Sequence, residues 1–244
     1  MSVPRCTSRP KPSGQSRRSS EPRVSRLLAL WDTTVGKKVA MAVTGMAMVL
    51  FLISHMISNV LIYTNPQHLD DYGAWLRSFG PLLWLARAGL LAIVLIHIVA
   101  ARQLTVRAHD ARTAGYTELD LEVATYAART MRWGGVLLVV FIVFHLLHFT
   151  VGVLPPGFEF QPGEAGRNVM VGMQTTWVAV FYAVAMLSLG AHFWHGIWST
   201  FQTLGLNHPV WNRSRKVIAV GLAVLVAGGF LSIPLGAMLG FLHP

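Results

Sequence analysis

The stretch TTWVAVFYAVAMLSLGAHFWHGIWSTFQT, residues 175–203, decides the fold. It contains no Asp, Glu, Lys or Arg. About 20 residues of helix, at roughly 1.5 Å each, cross the ~30 Å hydrocarbon core of a bilayer. This run exceeds that length, and its only ionisable groups besides Tyr182 are His192 and His195. Four further runs, near 37–63, 83–106, 131–153 and 215–241, also reach spanning length, and none contains a carboxylate. Gly, Pro, Asp and Asn punctuate the connections, as at Asn65-Pro66, Gly80-Pro81, Pro155-Pro156-Gly157 and Asn207-His208-Pro209. Trp31, Trp75, Trp84, Trp133, Trp177 and Trp211 fall at or beside the proposed ends, where indoles anchor at the membrane interface. The expected architecture is an all-α membrane protein, a five-helix transmembrane bundle over residues 31–244.

Composition agrees. Of 244 residues 53% are hydrophobic and only 12% charged, against about a quarter charged in soluble domains. Mean hydropathy is +0.51. Residues 1–30 form a separate zone rich in Arg, Ser and Pro, expected to be a disordered basic tail. Arg17-Arg18 is followed by Ser19, Ser20, Glu21 and Pro22 rather than by an apolar region, so it does not read as an export signal. The single Cys6 excludes a disulfide framework and any cysteine-ligated zinc or iron–sulfur site in this chain.

The net charge of +10 reads as topology rather than as affinity for nucleic acid. The chain through Lys38 holds nine Lys or Arg. The second connection adds Arg102, Arg107, Arg112, Arg129 and Arg132, and the fourth adds Arg213, Arg215 and Lys216. The other two connections offer only Arg77 and Arg167 beside Asp70, Asp71, Glu159 and Glu164. Positive charge collects on the cytoplasmic side, so the N-terminus is expected inside and the C-terminus outside.

Six of the ten histidines lie within spans: His55, His97, His145, His148, His192 and His195. Ionisable residues at membrane depth are costly and mark functional interiors. The first and third spans run outward, and His55 and His145 each lie eight residues from the outer end, about 12 Å along the axis. The second and fourth run inward, with His97 nine, His192 eleven and His195 eight residues from the inner end. The histidines thus sort into an outer pair of helices and an inner pair. Two histidines facing across a bundle suit an iron porphyrin with both axial positions filled. Within the doublets His145/His148 and His192/His195, spacing alone expresses little preference. Zinc or copper transport would favour carboxylate or sulfur ligands beside the histidines. Met46, Met48 and Met56 read as packing, and a proton pump would recruit buried Asp or Glu.

Three stretches carry a family resemblance. The first runs from Lys37-Lys38 through Thr44-Gly45 to Phe51-Leu52-Ile53-Ser54-His55, with Asn59 after it. The second is Asp71-Tyr72-Gly73 and then Pro81 to Arg87, leading to His97. The third is His192-Phe193-Trp194-His195-Gly196 onward to Gly205. In this order, and with a histidine on each of the first four helices, the chain resembles the five-helix dihaem cytochrome b subunit of succinate dehydrogenase and quinol:fumarate reductase. The resemblance covers nearly everything except the tail.

It implies two haem b groups, the outer on His55 and His145 and the inner on His97 and His192, with His148 and His195 as alternates. His145 is preferred by its distance of thirteen residues from Arg132, and His192 because it opens the His-x-x-His-Gly motif. Arg87, Lys38 and Arg132, with Lys37 and Arg129, become candidate partners of haem propionates or of a docked subunit. Interfacial snorkelling explains such residues equally well. Gly45, Gly89, Gly134, Gly135 and Gly190 are candidate points of close approach.

The resemblance further implies a flavoprotein subunit with FAD, an iron–sulfur subunit on the cytoplasmic side and a quinone, menaquinone in particular. It places the chain in the bacterial cytoplasmic membrane and is compatible with oligomerisation of the complex. The chain would not act on succinate itself, having neither a dinucleotide motif nor cysteine clusters. Gly190 stands where some dihaem fumarate reductases carry a glutamate, which puts that proton route in doubt. Competing readings are the cytochrome b subunit of a hydrogenase or formate dehydrogenase complex, a haem or metal transporter, and a haem-free scaffold.

Overall fold

A computed structural model describes residues 29–111, 126–206 and 208–242, with only the backbone described over 126–130. The expected N-terminal tail therefore lies almost entirely outside the described residues, as do Cys6, the Arg129 side chain and His243. The described residues are helical, with no strand among them.

Among the described residues, seven α-helices follow in order from Thr34. Helix α1, Thr34–Asn59, starts where the Thr33 hydroxyl accepts from Gly36 N at 2.8 Å, and it continues as a 3-10 turn over Val60–Tyr63. Helix α2 is Gln67–Ser78. Helix α3, Pro81–Asp110, begins with proline at its first position, where the missing N–H costs nothing. Gly80 turns the chain into it at φ 53°, a left-handed value that favours glycine. Helix α4, Tyr126–Leu146, widens into a π-helical segment over Leu147–Val151. Helices α5, Ala165–Met173, α6, Thr176–Thr203, and α7, Asn212–Met238, complete the chain.

Among the described residues, five helical segments are long and apolar enough to cross a membrane. They are Thr34–Tyr63, Pro81–Asp110, Met131–Val151, Thr176–Thr203 and Pro209–Met238, with mean hydropathies of 2.0, 2.3, 2.3, 1.5 and 2.3. The chain is an all-α five-helix bundle of multi-pass membrane character. The fifth span begins at Pro209, before the expected 215, because it takes in the 3-10 turn Pro209–Trp211 and the first turn of α7. Arg215 is buried, at 6% exposure. Its guanidinium donates to His208 O at 3.0 Å and Trp211 O at 3.4 Å and bonds the Asn212 side chain, tying down the helix start.

Helix α6 is the centre of the bundle, packed against α7, α4 and α1, while α1 also meets α3 and α7. Small residues allow this. Ala179, Ala185 and Ala219 are fully buried, and a Cβ on Gly190 would lie 3.2 Å from Ala227. At Gly229 a Cβ would meet Met56 Sδ at 2.6 Å, so α7 approaches α1 closely there. Helix α3 is peripheral: it packs on α1, and Ala100 is its one buried residue. Its exposed Leu85, Leu91, Leu95 and Val99 are what a lipid-facing helix presents.

The two ends of the bundle differ. At one, Arg107 Nη1 donates to Asp32 O at 3.0 Å, joining the end of α3 to the chain before α1. At the other, the connections expected over 64–82 and 154–174 contain helices α2 and α5, which pack on each other. The Asp70 carboxylate accepts from Gly166 N at 2.9 Å, and Gly166 lies so close to the Pro66 carbonyl that a Cβ would collide with it. Gln174 Nε2 donates to Leu242 O at 3.0 Å, drawing the C-terminal turn into the same cap.

Candidate metal centres: two facing histidine pairs

The histidines meet in twos. His55 on α1 faces His145 on α4, with ring centroids 6.0 Å apart and ring planes at 82°. His97 on α3 faces His192 on α6 at 6.3 Å and 59°. Among the described residues, neither α1 with α4 nor α3 with α6 forms a packed helix pair. Each histidine pair thus bridges a gap between helices held apart by their other neighbours.

The spacing has a chemical meaning. Two imidazoles on opposite sides of one metal ion, each at a metal–nitrogen distance of about 2 Å, place their ring centres roughly 6 Å apart. Both pairs match that separation. Among the described residues no three His, Cys, Asp or Glu side chains gather, so neither pair resembles a tetrahedral protein-only zinc site. His192 also buries an Nδ1 that has no hydrogen-bond partner among the described residues. Each pair can supply two nitrogen ligands to one metal-centred group placed between the rings.

Hydrogen bonds orient these rings. Thr44 Oγ1 donates its single proton to backbone, with Ala40 O at 2.7 Å and Met41 O at 3.2 Å, and lies 3.2 Å from His97 Nδ1. With that proton spent, the hydroxyl can only accept from His97 Nδ1–H. His97 therefore keeps its lone pair on Nε2, the tautomer a metal ligand needs. At His55, the Asn59 amide donates to the histidine's own carbonyl at 2.7 Å and stands 3.3 Å from Nδ1. Phe51 stacks on the same ring at 5.3 Å, and Phe230 meets it at 5.6 Å.

The structure separates the members of each doublet. His145 is in ring contact with His55. His148, three residues on and inside the π-helical segment, is completely buried elsewhere. It stacks on Phe149 at 3.8 Å and 19°, and a Cβ on Gly172 of α5 would sit 2.5 Å from its Nε2. That nitrogen thus lies close against α5 at Gly172. Of the second doublet, His192 is the member in ring contact with His97. His195 is half-buried, without a hydrogen bond or ring contact among the described residues.

Glycines give the inner rings clearance. A Cβ on Gly45 would lie 3.5 Å from His97 Cε1, and one on Gly135 would lie 3.9 Å from His192 Cε1. Gly134 O instead accepts from Ser188 Oγ at 3.3 Å, a contact between α4 and α6. Gly89 has nothing within 4 Å of such a Cβ and meets neither ring nor helix.

The candidate cations take different positions. Lys37 is buried, donates to Trp31 O and lies over the Trp31 ring at 5.0 Å, so it serves the chain's own end. Lys38 and Arg132 are exposed. Arg87 is exposed with its guanidinium 5.0 Å above the Trp84 ring, a membrane-interface arrangement. The remaining described histidines sit in connections: His68 beside Thr64, His109 beside Asp110, and His208 capping Val210 N.

Sequence reasoning gave no role to Tyr182, whose hydroxyl lies 3.3 Å from His145 Nδ1 and 3.1 Å from His148 Nδ1. A signal for it existed. A tyrosine in mid-span must find a hydrogen-bond partner at its depth. No family model, curated protein or solved structure matches this chain.

Proposed function

We propose that the chain is the membrane-anchor cytochrome b subunit of a succinate:quinone or fumarate:quinol oxidoreductase, with two bis-histidine haem b sites. The observation that carries this reading is the double spacing: histidine rings 6.0 and 6.3 Å apart, each pair bridging helices that do not pack together. His55 and His145 hold the outer haem, and His97 and His192 the inner one. Haem iron, held by these histidines, would supply reversible one-electron transfer, and the hydrogen bonds on the histidines would tune its potential.

The chain's own residues bind and orient. Thr44 fixes the tautomer of His97, Asn59 and Phe51 hold His55, and Gly45 and Gly135 leave space beside the inner rings. Helices α2 and α5 close over the outer end and restrict water there. Lys38 and Arg132 are available to propionates or to the surface of a docked subunit, where basic loops favour an acidic partner and anionic lipid alike. The partners are a flavoprotein with FAD and an iron–sulfur protein on the cytoplasmic side of a bacterial inner membrane. The electron acceptor or donor in the membrane is a quinone, menaquinone in this reading.

The test is purification of the complex from membranes, followed by identification of its subunits and a dithionite-reduced minus oxidised spectrum. Flavin-bearing succinate dehydrogenase subunits and a b-type spectrum are expected. A nickel or molybdenum enzyme would assign the chain to a hydrogenase or formate dehydrogenase complex instead. Loosely held haem or metal, lost on washing, would favour a transporter.

A further inference from the structure

His148 and Tyr182 are buried polar groups that the haem reading leaves without a task. Tyr182 lies on α6 at 5% exposure, surrounded by Phe141, Phe144, Phe149 and Phe181. Its hydroxyl lies between two imidazoles, 3.1 Å from His148 Nδ1 and 3.3 Å from His145 Nδ1. A phenol has one proton to give and can accept another. Placed between two nitrogens, it therefore donates to one and accepts from the other.

Two arrangements are possible, and they differ at His145. If Tyr182 donates to His145 Nδ1, the proton of that ring sits on Nε2, and the ring cannot ligate a metal there. If Tyr182 instead donates to His148 Nδ1, its oxygen accepts from His145 Nδ1–H and His145 Nε2 keeps its lone pair. The shorter contact is the one to His148. In that arrangement His148 carries its proton on Nε2, the buried nitrogen against Gly172 that has no partner. An unsatisfied buried donor is costly, so it persists only where other contacts fix the ring. Here the Phe149 stack at 3.8 Å, the Phe158 edge at 4.8 Å and the absence of a side chain at Gly172 do so.

We propose that His145, Tyr182 and His148 form a directed hydrogen-bond relay, His145 Nδ1–H to Tyr182 oxygen and Tyr182 O–H to His148 Nδ1. It fixes His145 in its ligating tautomer and orientation. Tyr182 and His148 are positioning residues in this scheme. The proposal rests on the reading of His145 as an axial ligand of the outer haem. A ligand imidazole that donates from its far nitrogen is a stronger base, and a stronger base favours the oxidised metal. The relay would therefore lower the outer haem's potential.

The experiment is a potentiometric titration of the intact purified complex, read from the b-haem absorbance. The outer haem is identified as the one surviving in His97→Ala. Tyr182→Phe should retain both haems, raise the outer potential and leave the inner one in place. His148→Leu, which keeps Tyr182 but removes its acceptor, should shift the outer potential in the same direction by less. His148→Gln, whose carbonyl can accept from the phenol, should restore it. Both haems present at unmoved potentials in Tyr182→Phe would overturn the relay while leaving the haem reading intact. If Tyr182→Phe loses the outer haem, an unmoved potential in His148→Leu overturns it equally. A wild-type complex without haem would overturn the haem reading first.

Discussion

The outer and inner histidine pairs have nearly the same ring spacing, yet the protein builds them differently. Around His55 and His145 it uses mass: Phe51, Phe141, Phe149, Tyr182 and Phe230 crowd the rings, and α2 and α5 close the end above them. Around His97 and His192 it uses clearance. Gly45 and Gly135 stand beside the rings, and α1 is the one helix against which α3 packs extensively. A crowded site is held rigidly and resists enlargement, because close-packed interiors do not absorb extra volume cheaply. A site built on glycines and a peripheral helix is held at fewer points and is easier to block.

The largest expected effect breaks the two sites apart. His97→Ala should halve the haem content and leave the outer spectrum, and His145→Ala should leave the inner spectrum. Loss of both haems from either single variant would mean that the sites do not form independently. Next in size, Gly135→Leu should exclude the inner haem and spare the outer, since its side chain extends toward the His192 ring. Haem stoichiometry checks this, and full occupancy of both sites would show that the inner gap is not defined by that glycine.

The crowding of the outer end predicts a stability effect instead. A Cβ at Gly172 would meet His148 Nε2 at 2.5 Å, His148 Cε1 at 2.9 Å and Phe149 at 3.1 Å. Gly172→Ala should therefore destabilise the outer end by about 1–3 kcal/mol through overpacking. In thermal unfolding of the detergent-solubilised complex, the outer haem should be released at lower temperature. Gly89→Ala, which meets nothing within 4 Å, is the matched control and should leave the release temperature unchanged. The smallest effect belongs to Arg87. Arg87→Gln loses a cation–π contact worth about 0.5–1 kcal/mol at an exposed site and should leave both haems in place. A missing outer haem in that variant would restore Arg87 as a propionate partner.

Much of this comparison was legible in the sequence, and the boundary of what was legible has a physical reason. Carboxylate-free runs of spanning length located all five helices, because backbone in lipid has few alternatives to helix. Counting residues from the span ends also grouped the histidines of the first and third spans and those of the second and fourth, while leaving the members of each doublet open, since depth follows from a constant rise per residue. The structure brings His55 to His145 and His97 to His192. Rotation about the helix axis is harder to read. His145 and His148 are three residues apart, roughly on one face, and the π-helical segment beginning at Leu147 alters the register between them. Hydropathy therefore could not say that one ring faces His55 while the other lies against Gly172. Nor could it show α2 and α5, which are too short to span a membrane, read as connections, and pack through contacts such as Asp70 with Gly166. Tyr182 escaped notice because its partners lie 34 and 37 residues earlier in the chain.

The most direct test of the central claim is the number of tightly bound b haems per chain in the purified wild-type complex, measured beside His97→Ala. Two six-coordinate, low-spin haems in the wild type and one in the variant are the predicted result. A wild-type chain that binds none, or a variant that still binds two, would contradict it.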